Sequence, residues 1–250
     1  MRAMILAAGL GTRLRPLTND RPKALVTIGG RTLLEITLSR LRSFGVREVI
    51  VNTHHHAEKM DAYLKAHDNF GMHIDISREE ELLDTGGGLK KAAWFFLQDG
   101  ADPQEPFILH NVDVISTIDL ARMLQVHRKL NALATLAVQE RETSRYLLFD
   151  ENNQLCGRQA GRAGKPEIAR SSRETHVLAF SGIHIISSRM LAKMTEEGAF
   201  SIIPFYMQLA SQGEKIVGFR ADEYYWRDLG RPESISQAAA DAQNGLYSLP

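Results

Sequence analysis

The chain has 250 residues, 44% of them hydrophobic, and 30 basic residues balance 30 acidic ones. Such a chain can bury one large core or two small ones, and its zero net charge provides no field to hold nucleic acid or a membrane surface. Its apolar runs, about six residues long, are far shorter than the roughly 20 residues that span a bilayer. A single cysteine, Cys156, excludes an intrachain disulfide. We therefore expect a soluble, cytoplasmic protein without nucleic-acid or membrane partners.

The first half of the chain alternates short apolar runs with amphipathic segments. Runs without a helical period predict strands, and leucines at helical spacing predict helices. The predicted strands are Ala3–Ala8, Glu48–Asn52, His73–Ser77, Phe107–Leu109 and Ala132–Val138. The predicted helices are Thr32–Phe44, Ala57–Ala66, Gly86–Leu97 and Asp119–Leu130. Alternation at this interval indicates right-handed crossovers and a Rossmann-like, mostly parallel sheet with helices on both faces.

Strands dominate the predicted elements after residue 140. The predicted strands are Tyr146–Asp150 and Gln154–Cys156 in a hairpin, His176–Ser187, Lys215–Phe219 and Tyr224–Asp228. The predicted helices are Ser188–Thr195, Ile202–Gln212 and a last one from Pro232. We interpret the chain as a single α/β domain, 1–250, with a small subsidiary β unit. It divides into halves 1–140 and 141–235, followed by a C-terminal helix and tail, 236–250.

The turn after the first predicted strand combines glycines with positive charge. Gly9 and Gly11 have no Cβ, so main-chain N–H groups there can approach an anion closely. The neighbouring polar side chains are those of Thr12, Arg13, Arg15 and Lys23. A dinucleotide fingerprint is excluded because its third glycine would fall at Leu14, and the chain has no P-loop run. The turn therefore predicts a polyphosphate site at the carboxyl edge of the sheet.

The order Leu-Ala-Ala-Gly-x-Gly-Thr-Arg-x-Arg-Pro-Leu-Thr, then Pro-Lys, resembles the opening of the sugar-1-phosphate nucleotidylyltransferases, or NDP-sugar pyrophosphorylases. The resemblance implies the nucleotide-diphospho-sugar transferase fold and two substrates, a nucleoside triphosphate (NTP) and a sugar 1-phosphate. It assigns 1–140 to the nucleotide and 141–235 to the sugar phosphate. Arg13 would steady the phosphates, and Lys23 would lie beside the reacting ones. The nucleotide-binding residues implied in this loop are Leu6, Ala7, Ala8, Gly9, Gly11, Thr12, Arg13 and Lys23.

Two acidic residues follow or end predicted strands in the two halves. Asp113 comes after the strand that begins at Phe107, and Asp228 precedes a glycine turn. A carboxylate, phosphate oxygens and water are a common way to hold Mg²⁺. The residues alone leave a turn, a helix cap or an ion pair open as other roles. The resemblance implies that Asp113 and Asp228 jointly bind Mg²⁺, with Asn111 beside the nucleotide, although Val112 stands where relatives often have glycine.

The stretch from Leu83 to Lys91 opens a predicted helix with three glycines. Glycines there permit either a tight loop or a flat ring lying on the backbone. The resemblance implies that Gly86 and Gly87 receive the nucleobase, with Glu79 as a weaker candidate. Within the family, the Asp-Thr-Gly-Gly-Gly run is most similar to that of the N-acetylmuramate-1-phosphate uridylyltransferases, which favours UTP.

Three further features concern the second substrate and a metal. Gly182 interrupts a predicted strand, as at a bulge or a ligand contact, and the resemblance implies a sugar contact there. The basic segment 158–173 is either a solvated loop or a lid over the sugar phosphate, and Lys165 is its sugar-binding candidate. The run His54–His56 favours a polar loop over a metal site, because consecutive strand residues point to opposite faces.

The resulting hypothesis is Mg²⁺-dependent nucleotidyl transfer, with Arg13, Lys23 and Asp113 as catalytic residues. A sugar 1-phosphate, for which N-acetylmuramate 1-phosphate is the candidate, attacks the α-phosphorus of the NTP and expels pyrophosphate. Guanylyl transfer to mannose 1-phosphate and thymidylyl transfer to glucose 1-phosphate are alternatives. More remote ones are cytidylyl transfer to phosphocholine and a non-catalytic nucleotide-sugar sensor. The oligomeric state is expected to be a monomer or a homodimer.

Overall fold

The computed structural model describes residues 1–98, 102 and 104–248. The strands in these ranges are β1 Arg2–Leu6, β2 Thr27–Ile28, β3 Arg31–Thr32, β4 Glu48–Thr53, β5 His73–Arg78, β6 Pro106–Asn111, β7 Val114–Ser116, β8 Ala134–Gln139, β9 Arg145–Phe149, β10 Leu155–Ala160, β11 Glu167–Ile168, β12 His176–Ser187, β13 Ile216–Arg220 and β14 Trp226–Asp228. The α-helices are α1 Leu33–Ser43, α2 Ala57–Ala66, α3 Asp84–Lys91, α4 Leu120–Leu130, α5 Ile202–Ser211 and α6 Pro232–Gln243. Residues 249 and 250 of the predicted C-terminal tail lie outside the described residues.

A ten-stranded sheet forms the centre of the described structure. Strands β5, β4, β1 and β6 lie side by side in that order and are all parallel. β12 runs antiparallel to β6, and the sheet forks at its far edge, where β9 and β8 each pair with part of β12. β9 continues into β10 and β11, whereas β8 pairs in parallel with β13. The predicted fold class is confirmed, with the antiparallel branch and two small two-stranded sheets as the extra β structure.

Alternate residues of the central strands contribute to hydrophobic clusters on opposite faces of the sheet. In β1, Ala3 and Ile5 belong to one cluster and Met4 to the other. The first cluster includes residues of α1, α2, α4 and α6, and the second includes residues of α3 and α5. Helices therefore cover both faces, as the period-2 alternation of strand side chains requires. Of the helices in the described ranges, none combines the length and apolar character that a bilayer span requires.

Several element boundaries differ from the sequence predictions. The predicted helix Gly86–Leu97 ends at Lys91, and Ala93–Phe95 forms a 3-10 helix. This tighter turn allows Phe95 and Phe96 to pack into the core, where Phe96 stacks on Phe107 at 3.9 Å between ring centroids. The predicted helix after Ser187 is likewise a 3-10 helix, Ser188–Lys193. Strands β2, β3, β7 and β11 have only two or three residues, too few to show a hydrophobic period.

A buried histidine joins α4 to the sheet. The Nδ1 of His127 lies 2.9 Å from Thr135 Oγ1 on β8, and its Nε2 lies 3.0 Å from Ser187 Oγ at the end of β12. Burial lowers the pKa of His127 to about 4, and the nearby Arg189 and Arg128 act in the same direction. The imidazole is therefore neutral near pH 7 and acts as a hydrogen-bonding link within the core.

This link predicts a specific loss of stability in acid. Between pH 6.5 and about 4, unfolded His127 binds a proton that the folded protein excludes, so stability falls as the pH falls. The loss attributable to His127 is on the order of 3 kcal/mol by pH 4. We expect His127→Gln, which cannot titrate, to weaken the pH dependence of the urea-unfolding free energy. His73→Gln, at an exposed position, is the control. Identical pH dependence in all three proteins would contradict the prediction.

Candidate active site

The loop after β1 is shaped by close packing around Gly11. This residue has φ 63°, and a Cβ on it would lie 3.0 Å from Thr18 Cγ2 and 3.2 Å from Lys23 Cβ. The Thr18 hydroxyl donates to Gly11 O at 2.9 Å and closes the turn. Both the left-handed conformation and the space require glycine at this position. The turn brings Lys23 back towards the carboxyl end of β1.

A cavity of about 310 Å³ opens at the carboxyl ends of β1, β4 and β6. Its lining residues are Leu6, Ala7, Ala8, Gly9, Lys23, Asn52, Glu79, Leu82, Asp84, Thr85, Asn111, Val112 and Asp113. The structure thus brings most of the predicted nucleotide-binding residues to one cavity. Gly11 and Thr12 lie in the adjoining loop. This position agrees with the rule that ligands bind beyond the carboxyl ends of parallel strands.

Lys23 and Asp113 form an ion pair at the edge of this cavity. Lys23 begins a short 3-10 helix after Pro22, and Asp113 follows β6. Their side chains are only 12% and 16% exposed, so little water screens the two charges. The pair places a cation and a carboxylate at the point where the sheet edge meets the glycine loop.

Asp228 reaches the same place from the second half of the chain. β14 pairs with β7 so that Asp228 lies opposite Val114, and Leu229 N donates to Asp113 O at 2.8 Å. A Cβ added to Gly230 would lie 2.7 Å from both Asp228 Oδ1 and Arg13 Nη2, so these two charged groups approach one point. The predicted residues Arg13, Lys23, Asp113 and Asp228 are therefore brought together.

The strand that carries Asp228 is anchored to the C-terminal helix. Arg227, the preceding residue, donates from Nη2 to Asp241 Oδ2 at 2.7 Å, and Tyr225 donates its hydroxyl to the same oxygen at 2.7 Å. Alternation along β14 directs Arg227 to the face opposite Asp228. Contacts with α6 thereby hold β14 in place, and Asp228 points towards the cavity edge.

Asn52, which no sequence motif singled out, connects three segments of the site. Its Oδ1 accepts hydrogen bonds from Ala7 N at 2.6 Å and Ala8 N at 3.3 Å. Its Nδ2 donates to Glu79 Oε1 at 2.7 Å, and Glu79 Oε2 accepts from Leu83 N at 3.0 Å. The amides of Ala7 and Ala8 are thus bound to Asn52, so these residues line the cavity without offering those donors to a phosphate. The sequence feature that could have indicated this role is a polar residue at the end of a buried strand.

The three glycines of α3 pack closely against other parts of the protein. Gly86 N and Gly87 N donate to Phe200 O at 2.9 and 3.2 Å. A Cβ at either glycine would collide with Phe200 or with the carbonyl of Gly198. Neither glycine is among the lining residues of the cavity, and their contact with the nucleobase stays a prediction. They permit the close approach of the segment before α5, while Asp84 and Thr85 face the cavity.

The second half of the chain contributes a bulge and a basic loop. Gly182, at φ 75°, lies where the pairing of β12 with β8 shifts register, and a Cβ there would be 2.9 Å from Asn111 Nδ2. The predicted bulge is therefore present, and its sugar contact stays a prediction. In the segment 158–173, the arginines that pair with carboxylates are Arg158, Arg162 and Arg170. Lys165 is exposed and has no side-chain polar contact among the described residues.

Comparison with known proteins agrees with this geometry. Residues 2–245 match the nucleotidyl transferase family. The chain is 33% identical to an N-acetylmuramate α-1-phosphate uridylyltransferase from Caulobacter vibrioides over 95% of both chains. It is 28% identical to a mannose-1-phosphate guanylyltransferase from Mycobacterium tuberculosis, covering 99% of this chain and 66% of that one. The crystal structure of HddC from Yersinia pseudotuberculosis complexed with GMP-PN superposes with a TM-score of 0.75 at 24% identity, over 96% of this chain and 98% of HddC.

The structure combines a parallel sheet with cations and carboxylates near its carboxyl edge. This combination is typical of nucleotide-binding α/β enzymes. The chain belongs to the nucleotidyl transferase family, so the resemblance of its N-terminal motif is confirmed. The expectation of a nucleotidyltransferase enzyme is confirmed with it.

The Asn52 network can be tested by exchanging charge. Asn52→Asp keeps an acceptor for the Ala7 amide but sets a second buried carboxylate against Glu79. We expect it to lower the free energy of unfolding by on the order of 2–3 kcal/mol and to weaken UTP binding. The double variant N52D/E79Q restores a donor–acceptor pair and should recover most of both losses.

Urea unfolding and calorimetric titration with UTP measure these two effects. Asn152→Asp, at an exposed position in the β9–β10 turn, is the matched control and should leave both unchanged. Equal losses in the single and double variants would show that the Asn52–Glu79 hydrogen bond does not order the cavity.

Proposed function

We propose that this protein transfers a nucleoside monophosphate from an NTP to a sugar 1-phosphate and releases pyrophosphate. The observation that carries the proposal is that Lys23 and Asp113 pair at the cavity, while Arg13 and Asp228 approach each other beside Gly230 at the adjoining strand end. The cations match a triphosphate, and the carboxylates match a divalent ion. The activities after which the relatives from Caulobacter vibrioides and Mycobacterium tuberculosis are named support this reaction class.

The cationic side chains act on the phosphates of the NTP. The attacking oxygen belongs to a phosphate whose second pKa is about 6, so it is ionised near neutral pH and needs no general base. Catalysis then depends on orientation and charge neutralisation. Lys23, positioned by Asp113, neutralises the α-phosphate, and Arg13 restrains the departing pyrophosphate. A planar guanidinium suits that role because it makes two-point contacts with phosphate oxygens.

We propose Asp113 and Asp228 as the residues that hold Mg²⁺. Their carboxylates occupy adjacent strand ends and are the hard oxygen donors that this ion prefers. The part of the chain that the structure describes contains no cluster of three or more metal-binding side chains, so phosphate oxygens and water complete the set. When bound, the ion neutralises charge between the reacting phosphates.

UTP and N-acetylmuramate 1-phosphate are the proposed substrates. The Caulobacter vibrioides relative, at 33% identity over nearly the full chain, supports both. Glu79 adds a physical reason, because its buried carboxylate lines the cavity and accepts hydrogen bonds only. It therefore suits a base with a ring N–H, as in uracil. Guanine also carries one, which makes guanylyl transfer to mannose 1-phosphate the second candidate, and the Mycobacterium tuberculosis relative supports it.

The remaining expectations are also part of this proposal. Residues 1–140 bind the nucleotide and 141–235 bind the sugar phosphate within one domain. The protein acts in the cytoplasm as a monomer or a homodimer. Gly182 and Lys165 stay sugar-binding candidates on the acceptor side.

Neutralising Asp113 should separate binding from chemistry. Asp113→Asn removes one of the two proposed carboxylates and is expected to lower Mg²⁺-dependent turnover on the order of a hundredfold or more. Binding of UTP, held mainly by the loop after β1, should change by less than about tenfold. Pyrophosphate release and calorimetric titration measure the two quantities. Asp68→Asn, at an exposed position outside the site, controls for the charge change. Nearly full turnover in the Asp113 variant would remove this residue from the mechanism.

A substrate panel identifies the reaction itself. Pyrophosphate release is measured with Mg²⁺ for UTP, GTP, CTP and dTTP, each with N-acetylmuramate, mannose or glucose 1-phosphate or with phosphocholine. We expect release with UTP and N-acetylmuramate 1-phosphate. Release with GTP and mannose 1-phosphate would establish the second candidate. Silence across the panel, with nucleotide still bound, would favour a nucleotide-sugar sensor.

A further inference from the structure

Arg141, in the loop between β8 and β9, lies in a fixed setting against Trp226 of β14. Its guanidinium carbon stacks over the ring of Trp226 at 3.6 Å from the centroid. Its Nη2 donates to Phe180 O at 2.7 Å, and Trp226 Nε1 donates to Ser181 O at 2.7 Å. Both side chains are thus bound to each other and to the backbone just before the Gly182 bulge. The stacked guanidinium is held in one orientation before any substrate arrives.

This setting places Arg141 near the carboxylate of Asp228. Trp226 and Asp228 are two residues apart on β14, so their side chains lie on the same face of that strand. Burial lowers the pKa of Arg141, and the nearby Asp228 carboxylate acts in the opposite direction. An arginine remains charged at any physiological pH. A fixed positive charge therefore stands next to the carboxylate that joins the two halves of the site.

Most of the hydrogen-bonding capacity of Arg141 is unused. A guanidinium carries five N–H donors, and the Nε of Arg141 is buried without a partner. Among the described residues, no carboxylate forms a salt bridge with Arg141, whereas Arg158, Arg162 and Arg170 each have one. Arg141 therefore keeps N–H donors for an anionic ligand, although the Asp228 carboxylate lies nearby.

We propose that Arg141 binds the phosphate group of the acceptor sugar 1-phosphate and orients it for attack. The inference rests on the proposed function and assigns its acceptor-side cation. A phosphate is the group that must approach the Asp113–Asp228 edge for the reaction to occur, and a planar guanidinium matches two of its oxygens. Lys165, the candidate from the sequence, is exposed and makes no side-chain polar contact among the described residues. Stacking on Trp226 gives Arg141 the preorganisation that Lys165 lacks.

Direct binding measurements test this assignment without turnover. The probes are N-acetylmuramate 1-phosphate, mannose 1-phosphate and inorganic phosphate, titrated calorimetrically into the full-length protein. We expect Arg141→Met to weaken binding of all three by roughly 10- to 100-fold, the range of a lost charge-assisted hydrogen bond. UTP binding should stay within about twofold. Arg141→Lys keeps the charge and the stem but loses the planar fork, so it should fall between the two.

Two further variants give the control and the location. Arg145→Met removes an exposed arginine four positions along the chain and should bind every probe as the unaltered protein does. In Trp94→Phe protein, Trp226 is the remaining tryptophan. Each probe should then change the intrinsic fluorescence, because Trp226 lies against Arg141. A fluorescence response to UTP alone would place the sugar phosphate elsewhere.

The outcomes separate this inference from the proposed function. If Arg141→Met releases pyrophosphate with an unchanged KM for the sugar 1-phosphate, the assignment is wrong while the proposed reaction stands. If no NTP and acceptor react but phosphate still binds in an Arg141-dependent way, the assignment stands and the proposed reaction falls. A loss confined to N-acetylmuramate 1-phosphate would show that Arg141 reads the acidic substituent of the sugar, which overturns the phosphate assignment.

Discussion

The cavity depends on one buried amide. Asn52 presents an acceptor to the Ala7 amide after β1 and a donor to the Glu79 carboxylate after β5, so one side chain connects two strand ends. Glu79 in turn accepts from Leu83 N, which fixes the entry to α3. An amide is the side chain that suits this position, because it accepts from a backbone N–H and donates to a carboxylate at once. Since all these groups are buried, an alternative arrangement would leave polar atoms unpaired, which is strongly disfavoured.

Opposite charges meet in this site from distant parts of the chain. The carboxylate of Asp113 is paired with Lys23, while Asp228 lies near Arg13 and on the same face of β14 as Trp226, on which Arg141 stacks. A cluster of partly buried charges of one sign would be costly, so each carboxylate lies near a cation. The arrangement also has a consequence for the proposed chemistry. Cations fixed near carboxylates are already oriented, so little reorganisation is needed when phosphate charge develops.

Much of the fold followed from the sequence because its parallel half is built from local units. The short apolar run Ala3–Ala8 and the amphipathic helix Ala57–Ala66 can each be recognised within their own segment, and short crossovers then impose a parallel sheet. Asp113 and Asp228 were found as candidates because the carboxyl ends of strands meet at one edge. Asn52 also ends a predicted strand, but that position alone does not show that its side chain connects the neighbouring strand ends.

The features that sequence could not provide depend on partners far along the chain. The glycines at 86 and 87 permit a close approach either of a ligand or of another segment, and only the fold shows that Phe200 and the carbonyl of Gly198 lie against them. Arg141 has the appearance of a solvated loop residue until Trp226 is placed beneath it. The local sequence pattern shows which conformations and close approaches a residue allows. Tertiary packing decides which group actually lies against it.

The forked sheet supports the proposal that the two substrates bind to different halves of the chain. In the parallel branch, β1 leads into the glycine loop, which is the proposed binding site of the polyphosphate. The antiparallel branch contributes β12, whose bulge at Gly182 brings its backbone against Asn111 on the neighbouring strand. This bulge supplies the Phe180 and Ser181 carbonyls that hold Arg141 and Trp226. A register shift that looks like a local irregularity therefore positions the acceptor-side cation next to Asp228, and straightening β12 would separate the two halves of the site.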